Sequence, residues 1–295
     1  MKKIITLSVA AFISLHVFAQ WDTLHTNTTS NFNSICFKDE NNGVAVGKDP
    51  VTSRGIAFYT TDGGLTWLQS LNANNAPSYN DIVYSSLGSG YIAVTDSGSI
   101  LQSLNGSGFT RTIQLGTENF NAVFLVENTN SIIYIGGDNG VLYRIIGSNL
   151  PDTLNSGTTL SINDIYFADA ANGWIVGDGG YMAATSDSGQ TWTTVTQPYF
   201  GFFNCSGFAY AGSTADAFAV GNSGDMIHSS NGGVNWNAFP SNTSYNLNSV
   251  RFTNDLAGIV AGYYGVIRRT QDGGITWWDE SMPYVTDNLT GISWA

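Results

Sequence analysis

The sequence predicts an all-β propeller of four-stranded blades, and three observations carry that prediction. An eight-residue turn recurs four times, at Thr60–Trp67, Thr185–Trp192, Ser229–Trp236 and Thr270–Trp277, each with a hydroxyl, an Asp or Asn, a Gly and a Trp at fixed offsets. Short apolar segments of one shape begin at Phe32, Tyr79, Phe120, Ile162, Phe203, Leu247 and Leu289, at intervals of 47, 41, 42, 41, 44 and 42 residues. That period is the length of a four-stranded blade. Only 11% of residues are charged, 34 are Gly and 42% are hydrophobic, a composition that favours pleated, half-buried surfaces and fills a sizeable core.

At the N-terminus, Lys2 and Lys3 precede an apolar run from Ile4 to Phe18, and Val17-Phe18-Ala19 supplies a small-residue cleavage site. Residues 1–19 read as a secretory leader cut after Ala19, which leaves a single propeller domain over 20–295. The run is short for a bilayer span, no basic stop-transfer flank follows, and with Gln20 rather than Cys after the cleavage site a lipoprotein anchor is not expected. No later stretch is apolar and long enough to span. The expected location is secreted, periplasmic or at the cell surface. Without Lys2 and Lys3 the chain has 8 basic against 22 acidic residues, a net charge near −14 that repels phosphate backbones and disfavours nucleic acid as a partner. A monomer is expected. Cys36 and Cys205 fall several units apart, beyond the ~7 Å Cα reach of a disulfide, and are expected to be buried thiols.

Each unit then runs in one order. An opening strand, such as Phe32-Asn-Ser-Ile-Cys-Phe37, is followed by a second apolar strand ending at Gly: Gly43–Gly47, Ile133–Gly136, Gly173–Gly177, Ala217–Gly221 and Gly258–Gly262. A Gly-containing turn leads to a third strand, such as Val141–Arg144 or Val266–Arg269. The eight-residue box follows, and its Trp opens the fourth strand. Asn or Thr follows the opening apolar residue every time.

The box chemistry closes within its own turn. Asp62, Asp187, Asn231 and Asp272 can accept backbone N–H groups, as can the hydroxyls of Thr60, Thr185, Ser229 and Thr270. Gly64, Gly189, Gly233 and Gly274 supply a backbone shape that a Cβ penalises. Trp67, Trp192, Trp236 and Trp277 are expected to wedge between layers. These residues are read as structural, with no catalytic residue assigned. In the second unit Ser103–Phe109 is a degenerate box, and in the third the stretch 147–152 has lost it.

At the ends, Trp21–Leu24 looks like an orphan fourth strand and Leu289–Trp294 like an orphan first strand. Six full units stand between them. The preferred reading is a seven-bladed design with an incomplete last blade; the alternative is a six-bladed ring with spare end strands.

The boxes resemble the Asp-box pattern Ser/Thr-x-Asp-x-Gly-x-Thr-Trp, or BNR repeat. With the Gly-bounded second strand, the unit is most similar to the photosystem II assembly-factor type of propeller, found in many exported bacterial proteins. The resemblance implies boxes at the blade periphery, away from the functional face. Sialidases share the box, but Arg54, Arg111, Arg144, Arg251, Arg268 and Arg269 include no recognisable carboxylate-binding triad. Xyloglucanases share it too and would need two facing carboxylates. Asp81 and Asp164 hold matching first-strand positions beside the channel, where satisfying backbone groups is the simpler role. His25 and His228 lack ligand-like spacing, and neither metal nor cofactor is expected. Arg268 and Arg269 read as strand-edge charges. Tyr263, Tyr264 and Tyr284 are candidates for contact area. The functional expectation is a secreted, non-enzymatic scaffold for a protein or glycan ligand; the alternative is a glycoside hydrolase or lectin-like protein.

Overall fold

The computed structural model describes residues 28–71, 76–128, 130–198, 207–210, 216–282 and 284–293. The expected leader, the Trp21–Leu24 segment, His25, Phe203, Cys205 and Trp294 lie outside them. Six antiparallel four-stranded sheets follow one another along the chain. Blade 1 holds β1 (Asn31–Phe37), β2 (Gly43–Lys48), β3 (Gly55–Thr60) and β4 (Leu68–Gln69), and blade 2 holds β5 (Tyr79–Ser85), β6 (Gly90–Thr95), β7 (Ser99–Ser103) and β8 (Thr110–Gln114). Blade 3 holds β9 (Phe120–Val126), β10 (Ile132–Gly137), β11 (Leu142–Ile146) and β12 (Asp152–Thr153), and blade 4 holds β13 (Ile162–Phe167), β14 (Gly173–Gly177), β15 (Met182–Thr185) and β16 (Thr193–Thr194). Blade 5 is β17 (Gly207–Tyr210), β18 (Ala217–Val220), β19 (Met226–Ser229) and β20 (Asn237–Phe239). Blade 6 is β21 (Leu247–Phe252), β22 (Gly258–Gly262), β23 (Ile267–Thr270) and β24 (Trp278–Asp279).

The core consists of layers between blades, because alternate residues of each strand face opposite neighbours. In blade 3, Ile135 packs with Ile92 and Val94 of blade 2, while Tyr134 packs with Ile165 and Phe167 of blade 4. Val44 and Val46 meet Tyr79 and Ile82; Trp174 and Val176 meet Ala217, Ile227 and Trp236; Phe218 and Val220 meet Val250 and Val260.

One irregularity repeats and positions the inner strands. Pairing of the first two strands skips Asn33, Asn80, Asn121, Asn163 and Asn248, each the residue after the opening apolar one. A bulge frees such a residue from the ladder and re-aims its side chain.

Ring closure uses the same device. Leu289 N donates to Gly262 O at 3.0 Å, as Leu247 N does to Gly221 O at 2.9 Å one blade earlier. The segment 289–293 thus takes the innermost place of a seventh unit, against β21 on one side and β1 on the other. Thr290 Oγ1 donates to Phe32 O at 2.8 Å and Phe37 N donates to Ser293 Oγ at 2.8 Å. The described ring is six four-stranded blades plus this segment in the seventh position.

Candidate functional site

Strand antiparallelism sorts the turns onto two faces. The boxes join third to fourth strands and share their end with the first-to-second turns: Gly63 N donates to Asn41 O, Ser188 N to Ala171 O and Gly273 N to Leu256 O. The starts of the inner strands and the second-to-third turns share the opposite end.

On the box face the polar groups are occupied locally. Asp62 Oδ1 accepts from Thr60 Oγ1 at 2.8 Å and Thr66 N at 2.9 Å, its Oδ2 accepts from Thr66 Oγ1 at 2.6 Å, and Gly64 N donates to Thr60 Oγ1 at 2.8 Å. Thr185, Asp187, Gly189 and Thr191 repeat the pattern, and in blade 5 Ser229, Asn231, Gly233 and Asn235 keep its backbone part. Thr270, Asp272, Gly274 and Thr276 repeat it in blade 6. The hydroxyl of Thr191, with its amide and the Thr185 hydroxyl, lowers the Asp187 carboxyl to about 2. A carboxylate held so firmly as an anion by its own turn is a poor proton donor. The Gly that follows presses on the preceding blade: a Cβ on Gly233 would stand 2.5 Å from Trp174 and one on Gly274 would stand 2.2 Å from Phe218, both at positive φ. Trp277 then stacks edge-on against Phe218 of blade 5 and Phe252 of its own blade, at 5.7 and 5.9 Å.

On the opposite face the inner strands surround a channel cavity of about 510 Å³. The bulged residues tie it together. Asn33 Nδ2 donates to Tyr79 O at 2.7 Å, Asn80 to Phe120 O at 2.9 Å, Asn121 to Ile162 O at 3.2 Å and Asn248 to Leu289 O at 2.8 Å. Thr290, in the Asn position of the seventh unit, reaches Phe32 O and returns the chain of bonds to its start. The sequence displayed this signal as an Asn or Thr at a fixed offset, but its role is a contact one blade away, which spacing alone does not reveal.

One step further along the strands stand Ser34, Asp81, Asp164 and Ser249, all on the channel wall. Asp81 accepts from Ser34 Oγ at 2.7 Å in blade 1, from Ile82 N at 2.8 Å in its own blade and from Val123 N at 2.9 Å in blade 3. It joins three blades. Burial pushes its carboxyl above the ordinary range, against the pull of those donors and the Arg251 charge. Asp164 accepts from Ile165 N at 2.9 Å and lies 3.9 Å from the Arg251 guanidinium. Cys36 lines the same wall, and burial, followed by the Asp81 charge, pushes its thiol up to about 12, so it is no nucleophile.

Around the channel mouth the second-to-third turns differ between blades. Asp96, Asp138 and Asp178 stand there in blades 2, 3 and 4, with Asp138 held by Asn119 and Asn121 and Asp178 by Asn163. Blades 5 and 6 place Asn222 and Tyr263 at that point instead. The following residue is left-handed in blades 3 to 6, and in blade 6 it is Tyr264 at φ 56°, where a bulky side chain is a genuine outlier. Tyr264 is 55% exposed and packs against Tyr245, itself 47% exposed, with ring centroids 4.9 Å apart. Tyr263 lines the channel and Tyr284 is almost fully exposed. Tyr245 was not singled out by the sequence, because it lies in a connection outside the repeat pattern.

The expectation of a strand-edge charge fails for Arg268. Its side chain is buried, donates to Ser241 O, Asn242 O and Ser281 Oγ, and pairs with Asp279, so it staples the blade 5–6 connection to β23 and β24. Arg269 pairs with Glu280 at 3.3 Å.

The comparisons agree with this architecture. The family model for the photosynthesis system II assembly factor YCF48 matches residues 147–245. The matched stretch covers blades 4 and 5, and there the chain is similar to that family. Among solved structures, this propeller is similar to YCF48 bound to D1 peptide, at 20% identity over 85% of this chain and 80% of that one, with a TM-score of 0.62. It is similar to YCF48 from Cyanidioschyzon merolae at 19% identity over 92% and 91% of the two chains, with a TM-score of 0.68. An ancestral GH74 enzyme aligns at 12% identity over 88% of this chain and 40% of that one, also at 0.68. At these identities the likeness is one of fold. No curated protein matches the sequence.

Proposed function

We propose that this Asp-box propeller is an exported, non-enzymatic scaffold that holds a segment of a partner protein across the channel mouth, anchored beside blade 6. The observation that carries the reading is the state of Asp81, the channel carboxylate that joins three blades. Its oxygens are engaged by donors from three blades, which leaves it a tie rather than an acid or base across a cleft. Around the mouth, Tyr245, Tyr263 and Tyr264 offer aromatic area on the blade 6 side while Asp138 and Asp178 stand on blades 3 and 4, a combination suited to an extended segment with basic residues that crosses the mouth. A YCF48 structure with a similar fold carries a bound peptide. Export rests on the Lys2–Ala19 pattern.

The test is a peptide array of exported and membrane-protein segments probed with the purified chain, followed by calorimetry on the hits. Binding that weakens about tenfold or more in Tyr264→Ala, without a change in melting temperature, supports the reading. Polysaccharide hydrolysis that disappears in Asp81→Asn or Asp164→Asn would make the protein a glycoside hydrolase instead.

A further inference from the structure

At the mouth, blade 6 departs from its repeat by a tyrosine that its turn does not require. We propose that Tyr264 and Tyr245 form the docking platform for a proline-rich segment in polyproline II conformation, whose basic flank reaches Asp138 and Asp178 across the mouth. The inference rests on the reading of the mouth as a protein-binding site and specifies the class of segment it takes.

The turn supplies the first observation. The left-handed position after the second strand holds Asn139 at φ 59°, Gly179 at φ 64° and Ser223 at φ 57° in blades 3 to 5, and Tyr264 at φ 56° in blade 6. The turn closes in the same way around each of them, with Val141 N donating to Asp138 O, Tyr181 N to Asp178 O, Asp225 N to Asn222 O and Val266 N to Tyr263 O. A small or polar residue therefore suffices, and a bulky one adds strain without helping the turn. Strain of this kind gathers where a ligand is held.

The rings supply the second. Tyr264 and Tyr245 stay about half exposed while touching each other, with planes tilted by 49°, so their outer faces make one bent aromatic surface. Their hydroxyls have no hydrogen-bond partner among the described residues.

The backbone beside them decides the mode of recognition. Gly262 N, Tyr263 N, Gly265 N and Val266 N already donate to Val266 O, Asn246 O, Asp287 O and Tyr263 O. Amides engaged in this way offer no ladder edge to an added strand, so recognition falls to the rings and their hydroxyls. Polyproline II recognition works by that means: aromatic faces pack on the prolines of a preformed helix, whose carbonyls have no internal donors and remain open to hydroxyls.

Charge fixes the flank. Asp138 is held by Asn119 and Asn121 and Asp178 by Asn163, all neutral donors, and neither carboxylate has a cationic partner among the described residues. A lysine or arginine beside the proline run complements them.

The experiment titrates the full-length chain at low salt with capped peptides of repeated Pro-Pro-Leu triplets, joined through Gly to Lys-Lys at one end or the other. Control peptides carry Ala for every Pro, or Gln for every Lys. The expected result is saturable binding of a proline–lysine peptide, about tenfold weaker or worse for its Ala counterpart. The Gln peptide should bind several-fold more weakly, with a gap that closes as salt is raised. Tyr264→Asn gives blade 6 the residue that blade 3 holds at this point, so it should weaken binding about tenfold without lowering the melting temperature. Absence of binding by both proline–lysine peptides, equal binding of the Ala counterparts, or binding unchanged by Tyr264→Asn would overturn the inference. An oligosaccharide whose binding is lost in Tyr264→Asn would overturn it too, by placing a sugar on the rings. Array peptides that depend on Tyr264 but lack proline would sink this inference and leave the scaffold reading standing; an array with no hit that depends on Tyr264 would remove both.

Discussion

The two faces of the propeller are built from the same repeat yet use their polar residues in opposite ways. On the box face the box carboxylates and hydroxyls bond within their own turn, as Asp62 and Thr60 do, and the next blade is reached by the Gly, the Trp and box carbonyls such as Ser188 O, which accepts from Tyr134 and Arg144. On the channel face the contacts leap a whole period, from Asn33 to Tyr79, from Asn80 to Phe120 and from Asn121 to Ile162. Local closure makes the boxes interchangeable and tolerant of loss, which is why blade 3 does without one. Contacts across blades make the inner ring one connected object, and Asp81 belongs to it. The difference teaches that the most visible motif sits where chemistry is least free, while the quieter Asn positions frame the site.

The sharpest way to strain the box face is steric. Gly274→Ala drives a Cβ into the Phe218 ring at φ 86°, combining overpacking with a left-handed penalty for about 3 kcal/mol in all. A large drop in melting temperature is expected; an unchanged one would show that the box turn can move away from blade 5.

Next in size is a break in the inner ring. Asn80→Ala leaves Phe120 O without its side-chain donor, at a cost of about 1–3 kcal/mol for the orphaned carbonyl. Chemical denaturation measures it. Asn231 already replaces the box Asp in blade 5, so Asp187→Asn is expected to cost less than Asn80→Ala; the reverse order would break the comparison.

The faces should also part company in pH. The Asp187 carboxyl is lowered to about 2 from 3.8, so its stabilisation is present above the unfolded value and is lost as pH falls through that window. Asp81 is raised, so the folded state holds its proton more tightly, and stability declines as pH rises from the ordinary carboxylate value through the raised one. Denaturation midpoints against pH should show a shallower descending limb in Asp81→Asn and a shallower acid limb in Asp187→Asn, since Asp96 is raised and Asp62 and Asp272 are lowered as well. A profile unchanged by Asp81→Asn would remove the burial argument.

The smallest stability effect is expected at the mouth. Tyr264→Gly relieves a left-handed bulky residue, worth about 1 kcal/mol, and loses the packing on Tyr245, worth about as much. The melting temperature should shift little while partner binding falls; a clear loss of stability would make Tyr264 a structural residue.

Much of the fold was legible because a propeller is a one-dimensional pattern. The starts at Phe32, Tyr79, Phe120, Ile162 and Leu247 fall at or within one residue of β1, β5, β9, β13 and β21. The second strands end at glycines because a Cβ on Gly137, Gly177 or Gly262 would stand 2.0, 2.0 and 2.2 Å from the carbonyl oxygens of Asn119, Ser161 and Asn246, each just before an opening strand. What escaped was what the period does not encode. Arg268 looked like an edge charge because sequence neighbours cannot show that Ser241 and Asn242 fold over it. Tyr245 sits in a connection whose length and composition vary from blade to blade, so only its meeting with Tyr264 marks it.

By itself the sequence determined the blade count it carries, the strand order within a blade and the placement of the box turns, because each depends on residues a few positions apart. The tertiary structure decided how the ring closes, which carboxylate is tied and which aromatics gather at the mouth. Those outcomes depend on residues 42 to 258 positions apart being brought within hydrogen-bond reach, as Asp81 is to Val123 and Thr290 to Phe32. That distance is set by the packing of whole blades, and no local propensity contains it.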